Sequence, residues 1–171
     1  MLHLSIAPST APPYRSVAPI DARLEPRSPF RDRPRRPSAA QKEGIRFESR
    51  VRAGLLSGPE WRHGQWISYR NSSSPIRLWC QVDAFSVDGS RLRIVEIKRR
   101  WCTEAIRQLR ELYGPLLGSI FPRRRVELLC VCGGFDSAVP GSAEAYVVNT
   151  LDTVFPSGRI GVVVWKPRRP C

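Results

Sequence analysis

With 171 residues and 42% hydrophobic content, the chain has room for one domain with a real core, plus polar tails. Its formal charge of +13, carried mainly by arginine, favours phosphate-rich partners, nucleic acid foremost; an anionic membrane surface or a plain solubility bias are the weaker readings. No run approaches the ~20 apolar residues of a membrane span, and the first residues lack the basic segment and long apolar core of a secretory signal.

Residues 1–37 hold repeated prolines and seven arginines without a helical or strand period. Such a composition buries too little apolar surface to offset ordering, so a disordered Pro/Arg-rich arm is expected, either lying along a phosphate backbone or simply solvated. A transit peptide ranks below that. The folded domain is expected over 38–166, followed by a basic tail at 167–171.

Ser38-Ala39-Ala40-Gln41 is a capping-box pattern. Gly44, Phe47, Val51 and Leu55 then form one helical stripe, with Arg46, Arg50 and Arg52 outside it. Glu48 borders the stripe and is placed to pair with Arg52 at i,i+4. Ser57-Gly58-Pro59 ends the helix. Trp61 to Tyr69 reads as a strand, residues 71–75 as a polar loop, and Leu78 to Val87 as a second strand. Along the second strand, Trp79, Gln81, Asp83, Phe85 and Val87 are expected on one side, with Cys80, Val82, Ala84 and Ser86 on the other.

Asp88-Gly89 is a hairpin signal leading into the strand Arg91 to Lys98. With those two as the turn, residues whose numbers sum to 177 face each other. Gln81 then opposes Glu96, and Asp83 opposes Ile94. Asp83, Gln81, Glu96 and Lys98 share a face, with Asp83 and Glu96 diagonal neighbours roughly 7 Å apart. A one-residue slip would break that face. Thr103 can cap a helix running to about Ile120, with a kink or break at Gly114-Pro115. Val126 to Cys132 is an apolar strand, 146–155 is ambiguous, and Arg159 to Trp165 reads as the last strand. The order implies an α/β or α+β body with mixed strand directions.

Five cysteines, an odd number, include Cys130 and Cys132, and the two histidines, His3 and His63, lie far apart. A structural zinc or iron–sulfur site is not expected; reduced cysteines in a cytoplasmic protein are. The five tryptophans read as core, with Trp101 the candidate for base stacking.

The chemistry concentrates at Asp83, Glu96 and Lys98. Two carboxylates can share one Mg²⁺ that keeps waters and accepts phosphate oxygens, and the Ile97 carbonyl can add an oxygen. Lys98 could orient or deprotonate a water, or stabilise charge on the phosphate. A structural ion pair between Glu96 and Lys98 is the plainer alternative.

Gln81-Val82-Asp83, twelve residues, then Glu96-Ile97-Lys98 resembles the PD-(D/E)XK nuclease superfamily, and the helix bearing Glu48 resembles its first motif. Gln108 to Tyr113 resembles the Gln/Tyr motif of RecB-type and phage exonuclease branches, though one residue longer than the usual Gln-x-x-x-Tyr. Gln81-Val82 stands where the superfamily's name has proline. The resemblance covers about residues 41–132. It implies a restriction-endonuclease-like core, a central mixed sheet flanked by helices, and Mg²⁺-dependent cleavage of DNA, with Mn²⁺ able to substitute. Asp83, Glu96, Lys98 and Glu48 would be catalytic, and Asp83, Glu96 and Ile97 the metal ligands. Gln81, Gln108, Tyr113, Arg99 and Arg100 would contact substrate or support the site. The setting would be DNA replication, recombination or repair of phage or mobile-element type, on a nucleoid or in a host cytoplasm. No separate specificity domain is visible, so a partner protein or second copy would supply targeting. The competing expectation is a catalytically inactive nucleic-acid-binding module, with a small basic RNA-binding protein third.

Overall fold

β-Branched and apolar runs separated by turn residues build a single sheet, and two helical stripes cover its faces. In a computed structural model, residues 19–30, 37–71, 75–134, 146–147 and 160–166 are described. The strands are β1 (Pro19–Glu25), β2 (Trp61–Asn71), β3 (Arg77–Asp88), β4 (Arg91–Lys98), β5 (Arg125–Cys132), β6 (Tyr146–Val147) and β7 (Ile160–Val164). They form one seven-stranded sheet in the order β1-β2-β3-β4-β5-β7-β6. β1 to β4 pair antiparallel in sequence order, whereas β4, β5, β7 and β6 run parallel. The class is α+β with a mixed sheet. No helix among the described residues is long and apolar enough to cross a membrane.

Helix α1 (Ala39–Gly54) begins as its sequence dictates. Gln41 N–H donates to the Ser38 hydroxyl at 3.2 Å, and Ser38 N–H donates to the Gln41 side chain at 2.8 Å. Phe47, Val51 and Leu55 pack on Ala84, Val95, Ile97, Leu129, Val131 and Val163. The opposite layer is a composite helix: α2 (Thr103–Arg107), a π-helical turn over Gln108–Tyr113, and α3 (Gly114–Ile120). Its Ile106, Leu109, Tyr113 and Leu116 meet Leu92, Ile94, Cys130 and Val162. β4 is thus covered on both faces, which is why it reads as almost continuously apolar.

Four expectations change. Pro19–Glu25 are not part of an unordered arm: they form edge strand β1, with Ala22 and Leu24 packed against the core and a bulge at Asp21. The Asp21 carboxylate receives Arg23, Arg70 and Arg77, which ties the strand down. Second, the hairpin turn is Gly89-Ser90, with Gly89 at φ 51°. Glycine is favoured there because positive φ at the first turn position costs it nothing. Pairs such as Asp88↔Arg91 and Ala84↔Val95 now sum to 179, so neither Gln81–Glu96 nor Asp83–Ile94 is opposed. Continuing that register sets Asp83 across from Glu96.

Third, alternation along β3 breaks at Asp83. Cys80 and Val82 pack in the same layer as Phe85 and Val87, while Ala84 lies in the α1 layer. β2 inverts at the matching place, between Trp61 and Ile67, and Gly64 there has φ 60°. Fourth, Cys102 rather than Thr103 is the N-cap of α2, and Gly114-Pro115 produces a π turn instead of a simple kink. Pro115 has no N–H to give, and the Gly114 N–H donates five residues back to Leu109. The basic tail at 167–171 and most of 146–155 lie outside the described residues.

Replacing Ser38 with Ala removes one half of the capping box. It is expected to lower stability by about 1 kcal/mol, seen as a lower urea midpoint with an unchanged slope. An unchanged midpoint would show that the cap contributes nothing.

Candidate active site

Pairing between β3 and β4 stops at Ala84↔Val95, although β4 continues beside β5 to Lys98 and β3 continues beside β2 to Arg77. Past that point the Ile97 N–H donates to Asp83 Oδ2 at 2.7 Å. A side chain takes the place of a ladder partner, so the strands part without leaving that amide unsatisfied. The carbonyl of Ile97 projects to the same edge as its N–H and faces the same opening.

Leu92, Ile94 and Glu96 alternate onto the face beneath the composite helix. Glu96 is therefore almost fully buried, at 1% exposure. Its Oε1 is ion-paired to Lys98 Nζ, and its Oε2 is buried without a hydrogen-bond partner. Asp83 stands close enough for its charge to act on the Glu96 carboxyl. Burial first, then the charge of Asp83, pushes Glu96 up to about 8, against the pull of Lys98. Burial also raises Asp83, opposed by the Ile97 N–H. For Lys98, burial disfavours the ammonium, but Glu96 by charge and hydrogen bond, together with Asp83, outweighs it and leaves its pKa raised.

Helix α1 brings Glu48 to the α1 side of the opening. Burial and then the charge of Asp83 raise its pKa, while Arg52 and Lys98 lower it. Glu48 makes the i,i+4 ion pair with Arg52 that its spacing suggested. Arg52 itself is the residue sequence reasoning missed. Its place outside the apolar stripe predicts an exposed side chain, yet its Nη2 lies 3.4 Å from the Asp83 carbonyl. Its four-residue spacing from Glu48 was the available signal.

The composite helix supplies the other wall. The buried Tyr113 donates its hydroxyl to the Gln81 carbonyl at 3.0 Å, holding β3 where it has left β4. Burial, with the charges of Glu96 and Asp83, keeps that phenol protonated. The π turn answers the spacing problem: with hydrogen bonds running five residues back, Gln108 and Tyr113 lie on one side, as residues four apart do in an α-helix. Gln108 Oε1 is buried without a hydrogen-bond partner. The Gln81 side chain turns away from Glu96 and donates to the Gly64 carbonyl at 2.8 Å. Trp101 packs against the core rather than standing out as a stacking platform. Arg99 pairs with Glu43 at 2.6 Å. Arg99 and Arg100 follow Lys98 at the carboxyl end of β4 and line a cleft against α1.

Among the described residues no three His, Cys, Asp or Glu side chains gather into a preformed metal cage. What the opening offers is two carboxylates and one peptide carbonyl, with an orphaned oxygen on Glu96. That donor set suits Mg²⁺, which takes one or two carboxylates and keeps its waters. A divalent cation there would compete with a proton on the raised Glu96 carboxyl. No protein-family model, curated protein or solved structure matches the chain.

The raised carboxyl has a consequence for stability. From about pH 4.5 to about 8 the unfolded chain releases the Glu96 proton and the folded one retains it. Folding is then disfavoured progressively as pH rises through that window. The Glu96→Gln variant, neutral throughout, is expected to gain melting temperature over wild type as pH rises across it. Parallel melting profiles would contradict the protonated Glu96 carboxyl. Tyr113→Phe leaves the Gln81 carbonyl without its donor and is expected to cost about 1–3 kcal/mol in chemical denaturation. No loss would mean that Tyr113 does not hold β3.

Proposed function

We propose that the protein is a metal-dependent deoxyribonuclease with a restriction-endonuclease-like core, acting in DNA replication, recombination or repair. The observation that carries this reading is the meeting of Asp83, Glu96 and Lys98 where β3 and β4 part. A purely structural ion pair would need neither a second, half-buried carboxylate nor a buried carboxylate oxygen left without a donor. Asp83, Glu96 and the Ile97 carbonyl would hold Mg²⁺ or Mn²⁺, which when bound supplies a Lewis acid for the phosphate and an acidified water.

The chain's own residues set the rest. Glu96 fixes the Lys98 ammonium beside the carboxylates. Held there, the ammonium can stabilise the negative charge growing on the phosphate and orient the water. The Ile97 N–H holds one Asp83 oxygen, limiting which way that carboxylate can turn. Glu48 and Arg52 form a second charged pair at the rim, with Arg52 positioned by the Asp83 carbonyl. Tyr113 and the π turn hold β3 in place beneath them.

Purified protein is expected to cleave at least one of linear, circular or branched DNA in Mg²⁺ or Mn²⁺ and none in EDTA. Asp83→Ala, Glu96→Ala and Lys98→Ala should each lower the rate by about 100-fold or more. Binding of DNA without cleavage of any form, with variants indistinguishable from wild type, would select the inactive nucleic-acid-binding module instead.

A further inference from the structure

Between α1 and the carboxyl ends of β4, β5 and β7 lies a cleft of about 550 Å³. Arg46, Arg50, Arg99, Arg100 and Lys166 line it, and among the described residues Glu43 is the one acid there. Glu43 is already held by Arg99. Arg46 and Arg50 are exposed one helical turn apart, with Arg50 Nε 3.4 Å from the Arg46 carbonyl. Like charges at i,i+4 repel each other, a cost that a bound polyanion would relieve. Phe47 and Trp165, edge-to-face at 6.2 Å, give the cleft an apolar floor, which strengthens the field of the cations above it. At the rim, a side chain on Gly133 would meet the Arg99 carbonyl at 2.8 Å and the Phe47 ring at 3.1 Å, so backbone alone fits there.

We propose that this cleft is a phosphodiester-backbone subsite, with Arg46 and Arg50 as phosphate ligands that no catalytic step requires. It rests on the nucleic-acid half of the reading above and not on cleavage. Two observations favour a polynucleotide over a small anion. The cations are spread along two walls instead of converging on one point. Guanidinium groups, which match phosphate oxygens in pairs, predominate. The carboxyl ends of parallel strands are where open sheets commonly receive ligands.

The test is fluorescence anisotropy of labelled single-stranded and duplex oligonucleotides with the full chain in EDTA, over about 50–200 mM salt. Arg46→Ala/Arg50→Ala should weaken binding about tenfold or more. Its log Kd against log salt should be shallower by about 1.4 on single strands, or 1.8 on duplex, as two phosphate contacts are lost. Arg62→Ala/Arg70→Ala, which removes the same charge from β2, should change binding much less. Equal weakening by both double variants, no weakening by either, or equally strong competition from polyglutamate of matched charge would overturn the subsite. If the cleft variant loses binding as expected but wild type cleaves nothing in Mg²⁺ or Mn²⁺, the subsite stands and the nuclease reading falls. If wild type cleaves and the cleft variant binds normally, the reverse holds.

Discussion

The hydrogen bond from the Ile97 amide to the Asp83 carboxylate is the constraint on which the rest of the site depends. A β-ladder normally continues until one strand ends, because abandoned N–H groups are costly. Here both strands continue with other neighbours while their mutual pairing stops, and an acidic side chain takes an amide at the fork. The same contact draws Asp83 toward Glu96 and leaves an opening bordered by peptide groups and carboxylates. Gly64 and the inversion of alternation at Asp83 let β2 and β3 turn together at that point, so the opening does not tear the sheet.

Glu96 is the expensive part of this arrangement. A carboxylate at 1% exposure is unfavourable unless protonated, paired or coordinated. The protein pairs one oxygen with Lys98 and raises the carboxyl's pKa by burial, which leaves the other oxygen without a hydrogen-bond partner. The surrounding packing is strong enough to tolerate this because β4 is sandwiched between two helical layers, and the two helices meet it from opposite faces. The π turn belongs to the same economy: it absorbs one residue ahead of Pro115 and brings Tyr113 to the Gln81 carbonyl.

Local chemistry was legible in the sequence wherever one segment decides its own structure. The Ser38–Gln41 cap, the Phe47–Val51–Leu55 stripe, the hairpin after β3, and the shared face of Glu96 and Lys98 all follow from spacing. What was not legible depends on two segments at once. The turn advanced by one residue, moving Asp83 from diagonal to opposite Glu96, because Gly89 rather than Asp88 accepts the positive φ. The break in alternation needed Gly64 and Asp83 together. β1 was hidden because its short Ile20–Ala22–Leu24 alternation sits inside a proline- and arginine-rich stretch and is completed only by β2 and by three arginines around Asp21. Arg52 looked like surface until α1 was laid across the fork, and Gln81 looked like a partner for Glu96 until Gly64 offered a carbonyl.

We propose that the fork between β3 and β4 can hold a divalent cation. Anomalous scattering from crystals of the protein grown or soaked with Mn²⁺ tests it most directly. One strong peak is expected in contact with the Asp83 and Glu96 carboxylates and the Ile97 carbonyl, lost in Asp83→Ala. A well-ordered fork with no peak, with Glu96 still closed on Lys98 in the presence of metal, would contradict it.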